Sequence, residues 1–442
     1  MNIVSEYVFC IIFMTANAGG TNLRHTGEPP SFPAIKENKL LYPTLVTHFY
    51  AINGNQLFWC RNDDVSYNLR CTLKQAIDSA QASGLDKSKY HYDELLEGTA
   101  GISISADSPR IKTLDRFFTD AAIAWCADLY RGTGIGSHVS FDGISGKYIE
   151  QENNYLVRSL AVSDSAPALA AFMQSLVPNQ QEYSSLKTEL QYQSGQNATV
   201  KCRQLSSALN IFRWIHHFKF EKCVVINIAS ATFRYYESDS LQLASKVVVG
   251  KPSTRTPRFA AWCNEVVLYP YWNVPRSIAV KELLPLFKRI PSLIDTLDMQ
   301  VLNELGVVID HHALNWASFS PAWFPFRVRQ ATGCNNALGV VKFNLISPYS
   351  VYMHDTNLKS AFLTAYRYYS HGCIRVENPV GLAGRLLPRQ VDSSFLKACY
   401  KDQLPVTLRL DNPVPVFVVY ATAEANLAGI VSYYRDIYHL AR

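Results

Sequence analysis

The hydrophobic pattern of this chain changes near residue 200, and that change constrains the fold more than any other feature. Before it, apolar residues recur every three or four positions, as in Ile111 to Tyr130, which is typical of amphipathic helices packed on a core. From Cys223 onward the apolar residues form short runs of β-branched and aromatic side chains, separated by Gly, Pro and Asn. The pattern predicts a helical N-terminal half and a mostly β C-terminal half.

The individual elements follow from the same periodicity. Helices are predicted at Thr72 to Ser83, Ile111 to Tyr130, Ala166 to Leu176, Tyr183 to Tyr192 and Cys202 to His217. Strands are predicted at Cys223 to Ala229, Ser245 to Val249, Glu265 to Leu268, Gly339 to Leu345, Tyr349 to Met353 and Val416 to Ala421. Between strands, Lys281 to Val308 is predicted to be helical. The fold class is therefore α+β, with a helical domain at 19–200 and a β-rich domain at 201–442 that carries a helical insertion at about 277–328.

Composition excludes several classes of protein. Of the 442 residues, 48% are hydrophobic and 18% are charged. This hydrophobic fraction is enough for a sizeable core and is higher than that of disordered chains. No run approaches ~18 uninterrupted apolar residues, so no integral membrane span is predicted. The net charge of +6 is not accompanied by a dense Lys/Arg run, so no nucleic-acid partner is predicted. Ten cysteines contain no C-x-x-C pair, which argues against a zinc ribbon.

The N-terminus suggests export. A short apolar run, Tyr7 to Met14, precedes the small-x-small triplet Ala16-Asn17-Ala18, which is typical of a signal peptide cleaved after residue 18. A buried N-terminal strand or helix is the alternative. Removal of residues 1–18 takes Cys10 away and leaves nine cysteines, so at least one thiol stays outside any intrachain disulfide scheme.

The residues most suggestive of chemistry lie between Tyr352 and Arg375. Two histidines and a cysteine, His354, His371 and Cys373, fall in this segment. A cysteine nucleophile needs a thiolate, and a nearby imidazole can take the proton. Gly372 has no Cβ, so a substrate carbonyl can approach the backbone, whose N–H groups are candidate oxyanion donors. The pattern therefore indicates a Cys373 nucleophile with His354 or His371 as its base.

Other interpretations of these residues stay open on the pattern alone. One histidine could be a satisfied core residue and Cys373 a small buried hydrophobe. Two histidines and a cysteine could also hold zinc, although their spacing matches no common metal motif. A papain-like protease is disfavoured because its nucleophile precedes its histidine in the chain, the reverse of the order here.

The pair of motifs His354-Asp355-Thr356 and Ser370-His371-Gly372-Cys373-Ile374-Arg375 resembles the signature of the L,D-transpeptidases, which have a YkuD-type catalytic domain. Flanking segments look like the large Gram-negative YcbB-type branch of that family: Val247 to Lys251, Thr256-Pro257, Pro270 to Pro275, Arg329-Gln330, Pro413 to Val416 and Asp436 to Tyr438. The resemblance runs from about residue 45 to the end of the chain.

The resemblance implies an acyl transfer on peptidoglycan stem peptides, which serve as donor and acceptor, with no cofactor and no metal. Cys373 would attack the carbonyl between the third stem residue, a diaminoacid, and the fourth, D-Ala. His354 would act as general base and acid, and His371, Ser370 and Gly372 would shape the pocket and the oxyanion site. Arg375 would bind a substrate carboxylate, with a structural salt bridge as the alternative. The remaining residues expected near the substrate are Tyr352, Asp355 and Trp272.

The resemblance also implies a place and a domain plan. We expect a periplasmic or cell-envelope protein of a Gram-negative bacterium, reached through the signal peptide. The insertion would act as a substrate lid, or its aromatic residues would form an ordinary core: Trp316, Phe319, Trp323, Phe324 and Phe326. The wall-binding module usual in this branch has no room in Gln191 to Cys202, and Thr332 replaces the usual proline of the Arg-Gln loop. A carboxypeptidase or wall-amide hydrolase on the same fold is the main alternative function, and a catalytically inactive wall-binding scaffold is disfavoured by the intact motif.

Overall fold

The computed structural model describes residues 40–99, 108–134, 140–141, 146–400 and 403–441. The predicted signal peptide, residues 1–18, lies outside the described residues. In the described segments, no helix combines the length and the apolar character needed to cross a bilayer.

The N-terminal half is helical, as predicted. Its helices are α1 Pro43–Ile52, α2 Asp64–Asp78, α3 Tyr92–Thr99, α4 Pro109–Arg131, α5 Gly146–Ala161, α6 Ala166–Ser175, α7 Gln181–Gly195 and α8 Thr199–His216. Helix α4 is buried along most of its length and forms the centre of the core of this half, where its Phe118 ring stacks on Trp59. The segment Ile111 to Tyr130, which was predicted to be helical from its apolar spacing of three or four residues, lies within α4. That prediction is confirmed.

Helix α2 begins earlier than the prediction that starts at Thr72. Asp63 caps it by accepting a hydrogen bond from the Ser66 backbone N–H at 2.7 Å. The predicted end is split, because α2 stops at Asp78 and a 3₁₀ turn, Ala80–Ser83, follows it. In the first two turns the polar Ser66 and Arg70 are buried and Val65 and Tyr67 are exposed, so apolar periodicity does not mark the start of the helix.

Helix α8 connects the two halves. Three residues separate it from α7, so this stretch holds no additional module. On one side the Asn210 amide donates to the Gly84 carbonyl at 3.0 Å, and on the other Trp214 packs edge-on against Phe417 with ring centroids 5.3 Å apart. Helix α8 thereby fixes the sheet against the helical half. The exact domain division at residue 200 stays a prediction.

The C-terminal half is built on one large sheet. Its strands are β1 Ser140–Phe141, β2 Lys222–Asn227, β3 Thr232–Glu237, β4 Ser240–Gly250, β5 Phe259–Leu268, β10 Val341–Ile346, β11 Met353–His354, β12 Tyr368–Ser370, β13 Ile374–Val376 and β14 Val406–Val419. The pairing order is β1-β5-β10-β11-β13-β4-β3-β2-β14, with β12 beside β4. Strand β14 pairs with both β2 and β5, so the sheet closes on itself.

The closed sheet has a filled interior and two kinds of outer surface. Inward side chains from every long strand, such as Phe233, Val249 and Phe343, form a continuous buried cluster. Two helices, α12 Pro379–Leu386 and α13 Ser393–Ala398, add to this core. A small C-terminal hairpin, β15 Ala423–Ala425 and β16 Val431–Tyr433, packs against α7 and α8. Helix α8 covers the outer surface of β2 and β14, whereas the outer surface of β10, β11 and β13 carries polar residues.

The insertion is only partly helical. It contains α9 Arg276–Ile278, a π-helical turn Ala279–Leu283, α10 Leu284–Arg289 and α11 Leu293–Thr296. It also has its own sheet, in the order β6-β9-β7-β8, made of β6 Trp272–Asn273, β7 Met299–Leu302, β8 Val308–Ile309 and β9 Arg327–Gln330. The helical prediction for Lys281 to Val308 is therefore wrong in its second half, where Met299, Val301 and Leu302 pair in a sheet although their spacing also suits a helix.

The aromatic residues of the insertion mostly form its own core. Trp316, Phe319 and Phe324 are buried together with Phe287, and Phe326 packs at the edge of that cluster. Trp323 differs from these residues, because its fractional exposure to solvent is 59%. A disulfide joins Cys334, after β9, to Cys399, after α13, with their Cα atoms 5.5 Å apart, a normal separation for such a bond.

Candidate active site

Three neighbouring strands present the candidate residues on one surface. Lys342 of β10 is opposite His354 of β11, and His354 is opposite Arg375 of β13. Their strand neighbours Met353 and Ile374 are fully buried in the sheet interior. Because successive side chains alternate between the two faces of a strand, Lys342, His354 and Arg375 lie on the outer face.

Cys373 lies immediately before β13, beside Tyr352. The Ile374 N–H donates to the Tyr352 carbonyl at 3.1 Å, which fixes the two segments together, and the Cys373 Sγ lies 3.9 Å from the Ser350 carbonyl oxygen. Burial raises the pKa of the Cys373 thiol, while hydrogen bonds from Tyr352 and the charges of Lys342 and Arg375 act in the opposite direction. The partly exposed thiol is therefore protonated in the resting protein.

The His354 imidazole is buried and held in one orientation. Its Nδ1 contacts the carbonyl oxygen of Asp355, which assigns the Nδ1 atom as the protonated donor and leaves a lone pair on Nε2. Burial, followed by the positive charge of Arg375, lowers the pKa of His354 to about 3, and the charge of Lys342 adds to the effect. His354 is thus neutral at physiological pH, with an unprotonated Nε2 atom.

The turn before Cys373 is held by Ser370 and Thr256. The Ser370 hydroxyl donates to the Cys373 carbonyl at 2.6 Å and accepts from the Gly372 N–H at 3.1 Å. The Thr256 hydroxyl donates to the Gly372 carbonyl at 2.8 Å. Gly372 has a φ of +122°, which disfavours any residue with a Cβ.

These contacts narrow the choice of oxyanion donor. The Gly372 N–H is engaged with Ser370, whereas the Cys373 N–H has no acceptor among the described residues. A substrate carbonyl attacked by the Cys373 sulfur would develop its negative charge near that N–H. Ser370 therefore holds the turn through its two hydrogen bonds. The Cys373 N–H is the backbone group that is left to donate to a substrate oxygen.

Two cations accompany the thiol. Lys342 and Arg375 are both half-buried, and neither forms a close ion pair with an acidic side chain in the described part of the chain. The Glu265 carboxylate acts on Lys342 only from a longer distance. The Lys342 ammonium lies 4.4 Å from the centre of the Tyr352 ring. Burial lowers the pKa of each cation. Charged groups that are desolvated without a partner are a feature of functional sites rather than of stable cores.

Other candidate residues have different surroundings. The exposed His371 ring donates from Nε2 to the Glu282 carboxylate at 2.9 Å, which connects the Cys373 turn to the insertion. Asp355 is buried and accepts from the Val340 N–H at 3.0 Å, so it braces the loop that enters β10. Trp272 lies in the sheet of the insertion, opposite Gln330, and packs against the core of that insertion. Neither Asp355 nor Trp272 has a described contact with Cys373.

Three residues near the Cys373 turn were not predicted as site residues from the sequence. Lys342 lies in the run Val341 to Ile346, whose alternation of apolar and polar residues was the available signal for an outward-facing side chain. Thr256 was noted only as part of a flanking segment, and Glu282 only as part of a helix. Their proximity to the Cys373 turn depends on long-range folding, so no local pattern reveals it.

Comparison with known protein families assigns two segments of the chain. Residues 221–405 match the L,D-transpeptidase catalytic domain, YkuD, and residues 44–190 match the Scaffold domain. A Haemophilus influenzae protein named "Putative L,D-transpeptidase" is 29% identical over 420 residues, which are 91% of this chain and 81% of that protein.

Two solved structures are also similar. An L,D-transpeptidase from Mycobacterium smegmatis is 15% identical, with 45% of this chain and 58% of that chain covered and a TM-score of 0.22. Mycobacterium tuberculosis L,D-transpeptidase 1 is 15% identical, with 45% and 61% covered and a TM-score of 0.20. This chain thus spans somewhat more than half of the length of each.

Proposed function

Because the chain carries an L,D-transpeptidase catalytic domain of the YkuD type after a Scaffold domain, we propose that it is a peptidoglycan L,D-transpeptidase. The observation that carries the proposal is the outer surface of β10, β11 and β13. There His354 of β11 presents a neutral imidazole with a fixed tautomer, and the protonated thiol of Cys373 lies immediately before the neighbouring strand β13. That combination is suited to nucleophilic acyl transfer.

In the first half-reaction, Cys373 is the nucleophile. Its proton passes to Nε2 of His354 as the sulfur attacks the carbonyl between the third and fourth residues of the donor stem. The Cys373 N–H donates to the developing oxyanion. An imidazolium of low pKa is a strong acid, so His354 readily protonates the departing D-Ala amine. A thioester between Cys373 and the shortened stem remains.

In the second half-reaction, the side-chain amine of a diaminoacid in a neighbouring stem attacks that thioester. His354 takes the amine proton and returns it to the departing thiolate, which restores the resting pair. The product is a 3→3 cross-link. Water in place of the amine would give a carboxypeptidase or hydrolase, and the same residues would serve it.

Lys342 and Arg375 give this surface its affinity for an anionic donor. Stem peptides carry carboxylates, and two desolvated cations that form no close ion pair with a described acidic side chain favour a carboxylate close to the thiol. The planar guanidinium of Arg375 suits bidentate binding, and the Lys342 ammonium acts as a point charge. Tyr352, between Lys342 and Cys373, is in position to contact the same substrate.

The insertion serves as the lid over the acylated cysteine in this proposal. Its contact with the catalytic turn is the His371–Glu282 pair, and its exposed aromatic residue is Trp323. A thioester must be shielded from water until the acceptor amine arrives. A lid with its own buried core can move as one body while it covers the site.

The protein is proposed to act in the cell envelope of a Gram-negative bacterium, reached through the signal peptide at 1–18. The disulfide between Cys334 and Cys399 supports this, because such bonds persist mainly in oxidising compartments. Cys373 must stay reduced to react, and no cysteine is paired with it.

The experiment is to incubate the protein with tetrapeptide-containing muropeptides and to analyse the products by mass spectrometry. We expect loss of D-Ala together with 3→3 linked dimers, and neither product with Cys373→Ala. Cys202→Ala is the matched control, since it removes another free, partly buried thiol and should leave both products in place.

The outcomes separate the alternatives. Tripeptide products without dimers would identify a carboxypeptidase and would reject the transpeptidase. Unchanged activity in Cys373→Ala would reject the nucleophile assignment.

A further inference from the structure

Three side chains with metal-binding atoms converge in the insertion, apart from the catalytic residues. Asp295 belongs to helix α11, and His311 and His312 belong to a 3₁₀ turn, His311–Ala313, that follows β8. One ligand atom from each of the three lies within 4.8 Å of the others. The two segments are fifteen residues or more apart in sequence, so the convergence is a product of folding.

The distances between these atoms fit a metal ion. The His311 Nε2 lies 3.2 Å from one carboxylate oxygen of Asp295, and the His312 Nε2 lies 3.6 Å from the other. In a tetrahedral zinc site with bonds of about 2.0–2.1 Å, neighbouring ligand atoms are about 3.3–3.4 Å apart. The two observed separations, each to a different oxygen of Asp295, are close to that value.

The state of His311 argues against a simple ion pair. Its Nε2 atom is buried and makes no hydrogen bond, although an Asp295 oxygen is 3.2 Å away. A buried ring nitrogen without a partner is costly. The centres of the two imidazole rings are only 4.1 Å apart, so both rings lie beside the same carboxylate. A metal ion bound between these side chains would give the buried Nε2 atom a partner.

We propose that Asp295, His311 and His312 bind one divalent transition-metal ion of the zinc type. Imidazole and carboxylate ligands suit such ions, and three protein ligands leave one position for water. The ion would join α11 to the turn after β8 and so close the base of the β7–β8 hairpin. The His311 carbonyl accepts the indole N–H of Trp316 at 3.1 Å, which links this site to the core of the insertion. Its role is structural.

The first test measures zinc binding by calorimetry on metal-stripped, tag-free protein. The protein carries Cys373→Ala, because a cysteine thiolate is itself a zinc ligand. We expect one zinc ion per chain. Asp295→Asn and His312→Ala each alter an exposed side chain and should weaken binding at least about tenfold. His439→Asn, another exposed histidine, is the matched control and should bind zinc unchanged.

A second measurement follows amide hydrogen exchange of residues 293–313 with and without zinc. Exchange in this segment should slow several-fold on zinc addition in the Cys373→Ala protein and should not change in its His312→Ala derivative. Zinc binding of equal affinity in the Asp295→Asn, His312→Ala and His439→Asn proteins would overturn the proposal, as would no binding at all. Neither readout depends on transpeptidase activity, so the two proposals can fail separately.

Discussion

The outer surface of the closed sheet has two regions that differ in what covers them. Over β2 and β14, outward side chains such as Val225 and Phe417 are apolar and are buried beneath Trp214 of helix α8. Over β10, β11 and β13, the outward side chains are the polar Lys342, His354 and Arg375, and none of them is hydrogen-bonded or ion-paired to an N-terminal helix that the structure describes. We call these two regions the covered region and the polar region.

The difference follows from the strand sequences. Strands β2 and β14 contain continuous apolar runs, Cys223 to Ile226 and Val416 to Val419, which is the pattern of strands buried on both faces. Strand β10 alternates, with Val341 and Phe343 inside and Lys342 outside. One sheet can therefore use one outer region for stability and another for chemistry, and each region can be tested without the other.

The largest effect is expected from His354→Gln. Loss of the general base should lower turnover about a thousandfold, within the usual range for such a group.

The same substitution should also make the free energy of unfolding less sensitive to acid. Burial lowers the pKa of His354 to about 3, so between pH ~6.5 and 3 the unfolded chain binds a proton that the folded chain does not. Stability is lost as the pH falls through that window, and chemical unfolding of the variant should show a smaller loss. Equal turnover in the two proteins would contradict the role of His354.

Trp214→Ala tests the covered region. It leaves a cavity between α8 and Phe417 and should lower the free energy of unfolding by about 3 kcal/mol in a denaturant titration. Turnover per folded molecule, measured below the unfolding transition, should stay within about twofold of the original. Loss of turnover without loss of stability would show that the two regions are not separate.

Lys342→Met tests the electrostatics of the polar region over β10, β11 and β13. The Lys342 charge favours the thiolate, so its removal raises the pKa of the Cys373 thiol further. The pH profile of Cys373 alkylation by iodoacetamide should move upward by about one unit, and turnover at pH 7 should fall about tenfold. Lys397→Met, at an exposed position, is the control and should change neither. An unchanged pH profile of Cys373 alkylation would show that Lys342 does not act on the thiol.

The smallest effect is expected from Glu282→Gln, which removes the charge that His371 contacts across to the insertion. Exposed ion pairs contribute little, so turnover should change about two- to threefold. The difference should disappear at high salt because such pairs are screened. Glu304→Gln, at another exposed position in the insertion, should behave like the original protein. A salt-insensitive loss would indicate that Glu282 contacts the substrate instead.

Local patterns in the sequence predicted the layout of the fold well. The change of hydrophobic period gave the helical and β halves, and Ile111 to Tyr130 lies within helix α4. The second half of the insertion was mispredicted, because apolar residues such as Met299 and Val301 pair with β9 instead of continuing a helix. Closure of the sheet by β14 depends on pairings more than a hundred residues apart, which no window of sequence reports.

The candidate site was predicted in its chemistry but not in its surroundings. The motif around His354 and Cys373 identified the nucleophile and base as candidates, and these roles stay predictions. The sequence could not show that Ser370 occupies the Gly372 N–H, or that Lys342 lies beside Tyr352. The first contact depends on the conformation of the turn before Cys373. The second depends on how β10 and β11 align, and that register is set by burial of their inward side chains.

The central claim is that Cys373, beside the polar region over β10, β11 and β13, forms the acyl-enzyme. The direct measurement is mass spectrometry of the protein mixed with a tetrapeptide stem and quenched in acid, followed by trypsin digestion. The account predicts a mass increase equal to the stem without D-Ala, located on the peptide 368–375, which contains Cys373 as its single cysteine. Product formation with an adduct on another residue, or with no adduct at any quench time, would contradict it.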